Sequence, residues 1–340
     1  MKKWMIPAVL MVLAVFAVAC GGENEKEAKE DLRVALVITG TINDNGWCQI
    51  GYEGLKEIEK EYGAEVAYNE NTQVAQYNQI IRTYAKDGYN VILAHGMEFK
   101  DAVEEVAADY PDVQFFISSS DRTADVTNGE NISGILADGV QQGFLQGVTA
   151  GYIAQNQGSK TVGAVGGLQI PAIKTTLEGF EAGVHYVDPS IKVLSAYTGS
   201  FDDINKLKEQ AITFINQGAT IIMSTANAAT KGGFEATKDK GGVSIGANAA
   251  SLMGTYKDNL AFSANVSMVK AMATVVGYLV EGDFKADNYI SGVAEDVVTI
   301  TFSETQADVA KVKDKVEAIY KDVKSGKIDV TKIYNEAFPK

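Results

Sequence analysis

Asn43-Asp44-Asn45-Gly46-Trp47-Cys48-Gln49 gathers a carboxylate, three amides, an indole and a thiol within seven residues. The segment follows an apolar run at Leu32–Gly40, so it reads as a loop leaving the end of a strand. An indole there can stack on a base or a sugar face while its N–H remains a polar handle, or it can plug the top of the domain. Phe201, within Gly199-Ser200-Phe201-Asp202-Asp203, falls in a second such loop, where a second aromatic could close a sandwich around a planar ligand. His95 ends the strand-like run Asn90–Ala94, and Ser119 and Asn248 follow the runs Gln114–Ser118 and Val243–Ala247. Hydroxyls and carboxamides hydrogen-bond a neutral polar ligand without the desolvation cost of a charge. These loops make Asn43, Asp44, Trp47, His95 and Phe201 candidate ligand-binding residues.

Catalytic patterns are missing. Gly163-Ala164-Val165-Gly166-Gly167 lacks the spacing of a pyrophosphate turn, and the chain holds neither a P-loop nor a nucleophile elbow. Asn43-Asp44-Asn45-Gly46 has the look of a calcium loop but lacks its later ligands. Cys48 reads as a small buried residue at a helix start, since neither His95 nor His185 need lie beside it. Asp44 and Glu98 are the one obvious carboxylate pair for a hydrolase. Two His and two Cys cannot build a His- or Cys-rich metal cluster. The expectation is a binding protein with no catalytic residue, cofactor or metal. A net charge of −14 argues against a nucleic-acid polymer as partner, because phosphate binding needs clustered Lys and Arg.

The elements that position these loops are written twice. Leu32–Gly40 and Thr161–Gly167 are continuous apolar runs, as in parallel strands buried on both faces. Each is followed by an amphipathic helix, Ile50–Tyr62 and Ile173–Val187, that contains a Glu-Gly pair. The helix–break–strand series from Gln76 to Ala94 matches the series from Lys206 to Ser224, and two further helix–strand pairs complete each half. This order predicts an α/β chain of two Rossmann-like lobes with parallel sheets and right-handed crossovers. Asn131–Ala137, Leu260–Asn265 and Val297–Phe302 suggest three hinge crossings between the lobes. The expected division is 32–135 with 263–291 for the N-terminal lobe, and 136–262 with 292–340 for the C-terminal lobe.

The first residues read as an address. Lys2 and Lys3 precede an apolar run, Trp4–Ala19, short for a membrane span of about 20 residues. Ala17-Val18-Ala19-Cys20 resembles the lipobox of bacterial lipoproteins, in which the Cys takes a lipid and becomes the mature N-terminus. Residues 1–19 are then a signal peptide, Cys20 the lipid attachment site, and the polar, charged stretch 20–31 a flexible tether. The expected location is the cell envelope, outside the cytoplasmic membrane.

Several motifs are similar to those of the basic membrane protein family of bacterial lipoproteins. They are Gly40-Thr41-Ile42-Asn43-Asp44-Asn45-Gly46-Trp47, Tyr110-Pro111-Asp112-Val113-Gln114-Phe115, Gly143-Phe144-Leu145-Gln146-Gly147, Gly179-Phe180-Glu181-Ala182-Gly183-Val184, Gly199-Ser200-Phe201-Asp202-Asp203 and Ile245-Gly246. The resemblance covers residues 32–302. It implies the type I periplasmic binding protein fold, with two lobes, three crossovers and a closing cleft. It also implies capture of a purine nucleoside for an ABC permease and its ATPase, the base lying between Trp47 and Phe201. The resemblance adds Cys48, Ser119 and Asn248 to the candidate ligand-binding residues, since they stand where the family places an Asn, an Asp and a ribose-binding Asp; the family's Lys is absent near Val266. A free nucleobase or a sugar-like solute is therefore an alternative ligand, and a ligand-sensing receptor of the same fold an alternative role.

Overall fold

The computed structural model describes residues 32–44, 47–118, 122 and 130–339. The signal segment, Cys20, the tether and Ser119 lie outside the described residues. The chain runs through β1 (Arg33–Val37), α1 (Trp47–Tyr62), β2 (Glu65–Asn69), α2 (Tyr77–Lys86), β3 (Val91–Ala94), α3 (Lys100–Ala107), β4 (Gln114–Ser118) and β5 (Ile132–Ala137). It continues as α4 (Gly139–Gln157), β6 (Thr161–Gly166), α5 (Pro171–Val187), β7 (Lys192–Tyr197), α6 (Ile204–Asn216), β8 (Ile221–Thr225), α7 (Lys231–Lys240), β9 (Val243–Ala247) and β10 (Leu260–Val266). Then come α8 (Met268–Glu281), β11 (Asn288–Ser291), β12 (Val298–Phe302), α9 (Ala307–Ala310), α10 (Lys313–Lys324) and α11 (Val330–Ala337).

The strands form two six-stranded sheets, ordered β11-β5-β4-β3-β1-β2 and β12-β10-β9-β8-β6-β7. All pairs are parallel except β10 with β12. The repeat is visible in the register: Val34 lies opposite Val91 in the first sheet, and Val162 opposite Ile221 in the second. The inner strands are buried along nearly their whole length, as their unbroken apolar sequences require, because helices cover both faces of each sheet.

The chain passes between sheets at Ala137–Gly139, after Val266 and after Ser291. The second passage lies beyond residue 263, because antiparallel pairing with β12 holds β10 in the second sheet through Val266. The passages are bonded to one another: the Asp138 N–H donates to the Ser291 carbonyl (2.8 Å), and the Ser267 N–H to the Val297 carbonyl (3.0 Å).

In the second lobe α4 and α5 touch backbone to backbone. A Cβ on Gly143 or Gly147 would lie 2.0 Å from the carbonyl oxygen of Thr176 or Phe180, so no larger residue fits at this separation. The last three helices close the outside of this lobe, burying Val309, Val316, Val323 and Val330 in its core.

Candidate functional site

At the carboxyl end of β1 the chain turns through Thr41–Asp44 and enters α1. Asp44 starts that helix: its Oδ2 accepts the Cys48 N–H (3.1 Å) and its Oδ1 the Gln49 N–H (3.0 Å). Both carboxylate oxygens thus satisfy helix donors that would otherwise have no partner, the capping role an Asp serves best. Asn43 is exposed beside it.

Trp47 is the first residue of α1 and is half-buried. Its ring lies flat on the imidazole of His95, with centroids 3.9 Å apart and planes inclined by 14°. Two reciprocal hydrogen bonds lock the pair. The Trp47 Nε1–H donates to the His95 carbonyl (3.2 Å), and His95 Nε2 lies 2.9 Å from the Trp47 carbonyl. A carbonyl can only accept, so Nε2 carries the proton and Nδ1 is left to accept from the Ser118 hydroxyl (2.6 Å). Burial pushes the His95 pKa down to about 4, so the ring is neutral near pH 7. Gly51 makes the fit possible, because a Cβ there would fall 2.6 Å from His95 Cδ2. Cys48 is buried, with its Sγ accepting the Gly40 N–H (3.2 Å), and so shapes the loop behind the indole. Among the described residues no other ring stacks on Trp47.

The second lobe brings Phe201 and Asn248 to the carboxyl ends of its own strands. Phe201 follows β7, lies over Gly167 and is half-buried against the cluster that contains Val165, Leu207 and Ala229. A Cβ on Gly167 would lie 2.5 Å from Phe201 Cδ1. Asn248 is exposed and adopts a left-handed backbone (φ 53°), which Asn tolerates better than most side chains. Its Oδ1 accepts the Val266 N–H (2.7 Å) and lies 3.4 Å from Gln142 Nε2. The same Gln142 nitrogen donates to the Ala264 carbonyl (2.9 Å), and Gln146, one turn on, donates to the Gly246 carbonyl (2.8 Å). Asn248 is therefore wired to the second passage between the lobes.

Direct bonds thus bring together Asp44, Trp47, Cys48 and His95 in one lobe and join Asn248 to a passage in the other. The sequence gives no sign of a further feature, a cavity of about 990 Å³ where the lobes meet, lined by Arg122, Asp138, Lys174, Glu178, Ile290 and Tyr334 among others. Arg122 pairs with Asp138 (2.9 Å), and Glu178 accepts from Lys174 (3.0 Å) and from the Tyr334 hydroxyl (2.7 Å). Among the described residues no group of His, Cys, Asp and Glu is arranged to hold a metal ion, and no helix is long and apolar enough to cross a membrane.

A sequence model of one family, described as ABC transporter substrate-binding protein PnrA-like, matches residues 32–336. The chain belongs to that family. A relative from Lactococcus lactis, named ABC transporter nucleoside-binding protein BmpA, is 26% identical over 97% of this chain and 99% of its own length. The transcriptional activator protein med of Bacillus subtilis is 28% identical over 64% of this chain, and an uncharacterized lipoprotein of Pyrococcus abyssi 28% over 69%. The chain spans 66% and 59% of the lengths of those two relatives. Among solved structures, a transcriptional activator of the comK gene from Bacillus halodurans superposes with a TM-score of 0.69 at 23% identity, covering 85% of this chain and 96% of that one. An ABC transporter solute-binding protein from Conexibacter woesei gives 0.64 at 24%, covering 88% and 98%. The fold is that of the two-lobed periplasmic solute-binding proteins.

Proposed function

We propose that this family member captures a purine nucleoside or nucleobase between its lobes and delivers it to an ABC permease and its ATPase. The observation that carries the reading is the Trp47–His95 stack. It leaves a large aromatic surface at the end of a parallel strand with its orientation already fixed, where open α/β sheets bind ligands. Phe201 supplies the second ring. Asn43, Asp44, Ser119 and Asn248 read polar edges, and Cys48 and His95 back the platform. The lobes close by rotation about the three passages, and the ligand favours the closed form by touching both walls at once. Cys20 carries a lipid that holds the body at the outer side of the cytoplasmic membrane. The name of the Lactococcus relative supports the ligand class, and that of the Pyrococcus relative supports the anchor.

A thermal-shift screen of the full chain in detergent tests the ligand. A nucleoside or base at about 100 times its dissociation constant adds roughly 2.7 kcal/mol of stability. If neither class shifts the melt while simple sugars do, the ligand assignment falls. Two relatives are named transcriptional activators, which favours a second reading in which ligand occupancy is sensed. Under that reading, deleting the permease leaves the response to the ligand intact.

A further inference from the structure

His95 and Ser118 stand side by side at the carboxyl ends of β3 and β4. Ala94 is in register with Ile117, so the next residue of one strand falls beside the next residue of the other, on the same face of the sheet. Both are buried, His95 at 1% exposure and Ser118 at 3%. The Ser118 Oγ lies 2.6 Å from His95 Nδ1, and among the described residues no other hydrogen bond reaches that nitrogen. Nε2 holds the ring's one proton for the Trp47 carbonyl, so Nδ1 can only accept and the serine hydrogen points at it. The bonds then run one way through three elements. Ser118 on β4 donates to His95, His95 donates to the Trp47 carbonyl on α1 (2.9 Å), and the Trp47 indole donates back to the His95 carbonyl (3.2 Å). A half-turn of the imidazole would put Cδ2 where Nδ1 stands and Cε1 where Nε2 stands, losing the first two bonds together.

We propose that Ser118 is a positioning residue for the aromatic platform: its hydroxyl holds the His95 ring at the angle on which the Trp47 indole rests. It touches neither the indole nor any surface a ligand could reach, and it acts wholly through the imidazole. The stack needs the ring plane fixed, with centroids 3.9 Å apart and planes inclined by 14°. One bond, to Trp47, would leave the imidazole free to turn about that contact, and the second bond removes that freedom. That a ligand then meets the indole rests on the proposed capture between the lobes, and there the fraction of molecules with the platform in place scales the apparent affinity.

The test needs no ligand, so a failed ligand screen leaves its readings in place. Solution NMR of the full chain in detergent reads the ring nitrogens, and the chain has two histidines, so His185→Gln assigns them. His95 should show one tautomer near pH 7, with the proton on Nε2. A proton on Nδ1 overturns the proposal. With Trp4→Phe, Trp47 is the one indole left, and hydrogen exchange at its Nε1–H reports how often the platform opens. Ser118→Ala should speed that exchange roughly fivefold, as for loss of one hydrogen bond, while the N–H groups of Leu55 and Ile58 in α1 keep their rates. Ser118→Cys fills the same space with a weak donor and should exchange as fast as the alanine variant. A cysteine variant that restores the parent rate would show that Ser118 only fills space and would overturn the proposal. So would an alanine variant that exchanges at the parent rate, or one in which Leu55 and Ile58 speed up equally, which would mark a general loss of stability.

Discussion

The two aromatic residues proposed to face the ligand are held by different means and at different strand ends: Trp47 follows β1, whereas Phe201 follows β7, the neighbour of the strand that repeats β1. In the first lobe Trp47 is fixed in every direction: its ring lies on His95, its N–H is bonded to a backbone carbonyl, and its own carbonyl is bonded to the imidazole. In the second lobe Phe201 lies over Gly167 and the Leu207–Ala229 cluster, and its ring has no donor or acceptor to fix it. A platform of the first kind meets a ligand with its ordering cost already met in folding, and one of the second kind can settle onto whatever arrives. Under the proposed capture of ligand between the lobes, the difference teaches that the first lobe sets where a ligand lies and the second how tightly it is covered.

The largest effect that would break this comparison is on His95, the foundation of the rigid wall. An unfolded histidine binds a proton near pH 6.5, whereas the folded one waits until about pH 4. Between those values the unfolded chain carries the extra proton, so stability is lost as pH falls from about 6.5 to about 4. The 2.5-unit gap corresponds to about 3 kcal/mol. Chemical denaturation across that range, compared with His95→Gln, isolates the contribution. Parallel curves for the two proteins would mean that the imidazole is not held neutral, and the wall not rigid.

Next comes the ligand itself. Trp47→Ala is expected to weaken binding by about 1–3 kcal/mol, as for loss of a base-stacking aromatic. Phe201→Leu, which keeps an apolar cover, should cost less, about 1 kcal/mol. Calorimetric titration with the ligand found by thermal shift gives both numbers, and equal losses would erase the distinction between the walls.

A smaller contrast lies in the glycines beneath each ring. A Cβ at Gly51 would strike three atoms of an imidazole that two hydrogen bonds hold in place. A Cβ at Gly167 would strike the ring of Phe201, which can swing away, and would lie 2.9 Å from one backbone atom, the Ser200 carbonyl oxygen. Gly51→Ala should therefore cost about 1–3 kcal/mol of stability, an overpacking penalty, and Gly167→Ala less. Thermal melts of the two variants decide it, and the reverse order would show that the Phe201 loop is the stiffer wall.

How much of this could be read in the sequence follows from how local each cause is. The inner strands were legible because burial on two faces demands unbroken apolar runs such as Asn90–Ala94. The repeat supplied the layout, and the loop between β1 and α1 announced itself by its residue types. The edge strands β2 and β7 were harder to delimit, because partial exposure leaves their sequences mixed. Trp47 and His95 could each be placed at a strand end, but their stacking depends on β3 lying beside β1 and on Gly51 leaving room. Arg122 and Asp138 left no trace as a pair, since nothing in a spacing of sixteen residues implies contact across a passage.

Asn248 carries the subtlest test, because one substitution separates its bond to the passage from its proposed contact with ligand. The Val266 N–H is bonded to Oδ1, and Gln142 Nε2 approaches the same atom. Aspartate presents an oxygen at that position too, tolerates the left-handed backbone and, at an exposed site, loses little solvation. Asn248→Asp should therefore change stability by no more than about 0.5 kcal/mol, the range of ordinary surface changes. The other terminal atom changes from a donor of two hydrogens to an acceptor. A ligand that offers hydroxyl hydrogens gains a partner there, whereas a base carbonyl loses one. The ratio of nucleoside to free-base affinity should rise in the variant. An unchanged ratio in a stable protein would confine Asn248 to holding the passage and leave discrimination between those ligands to the aromatic walls alone.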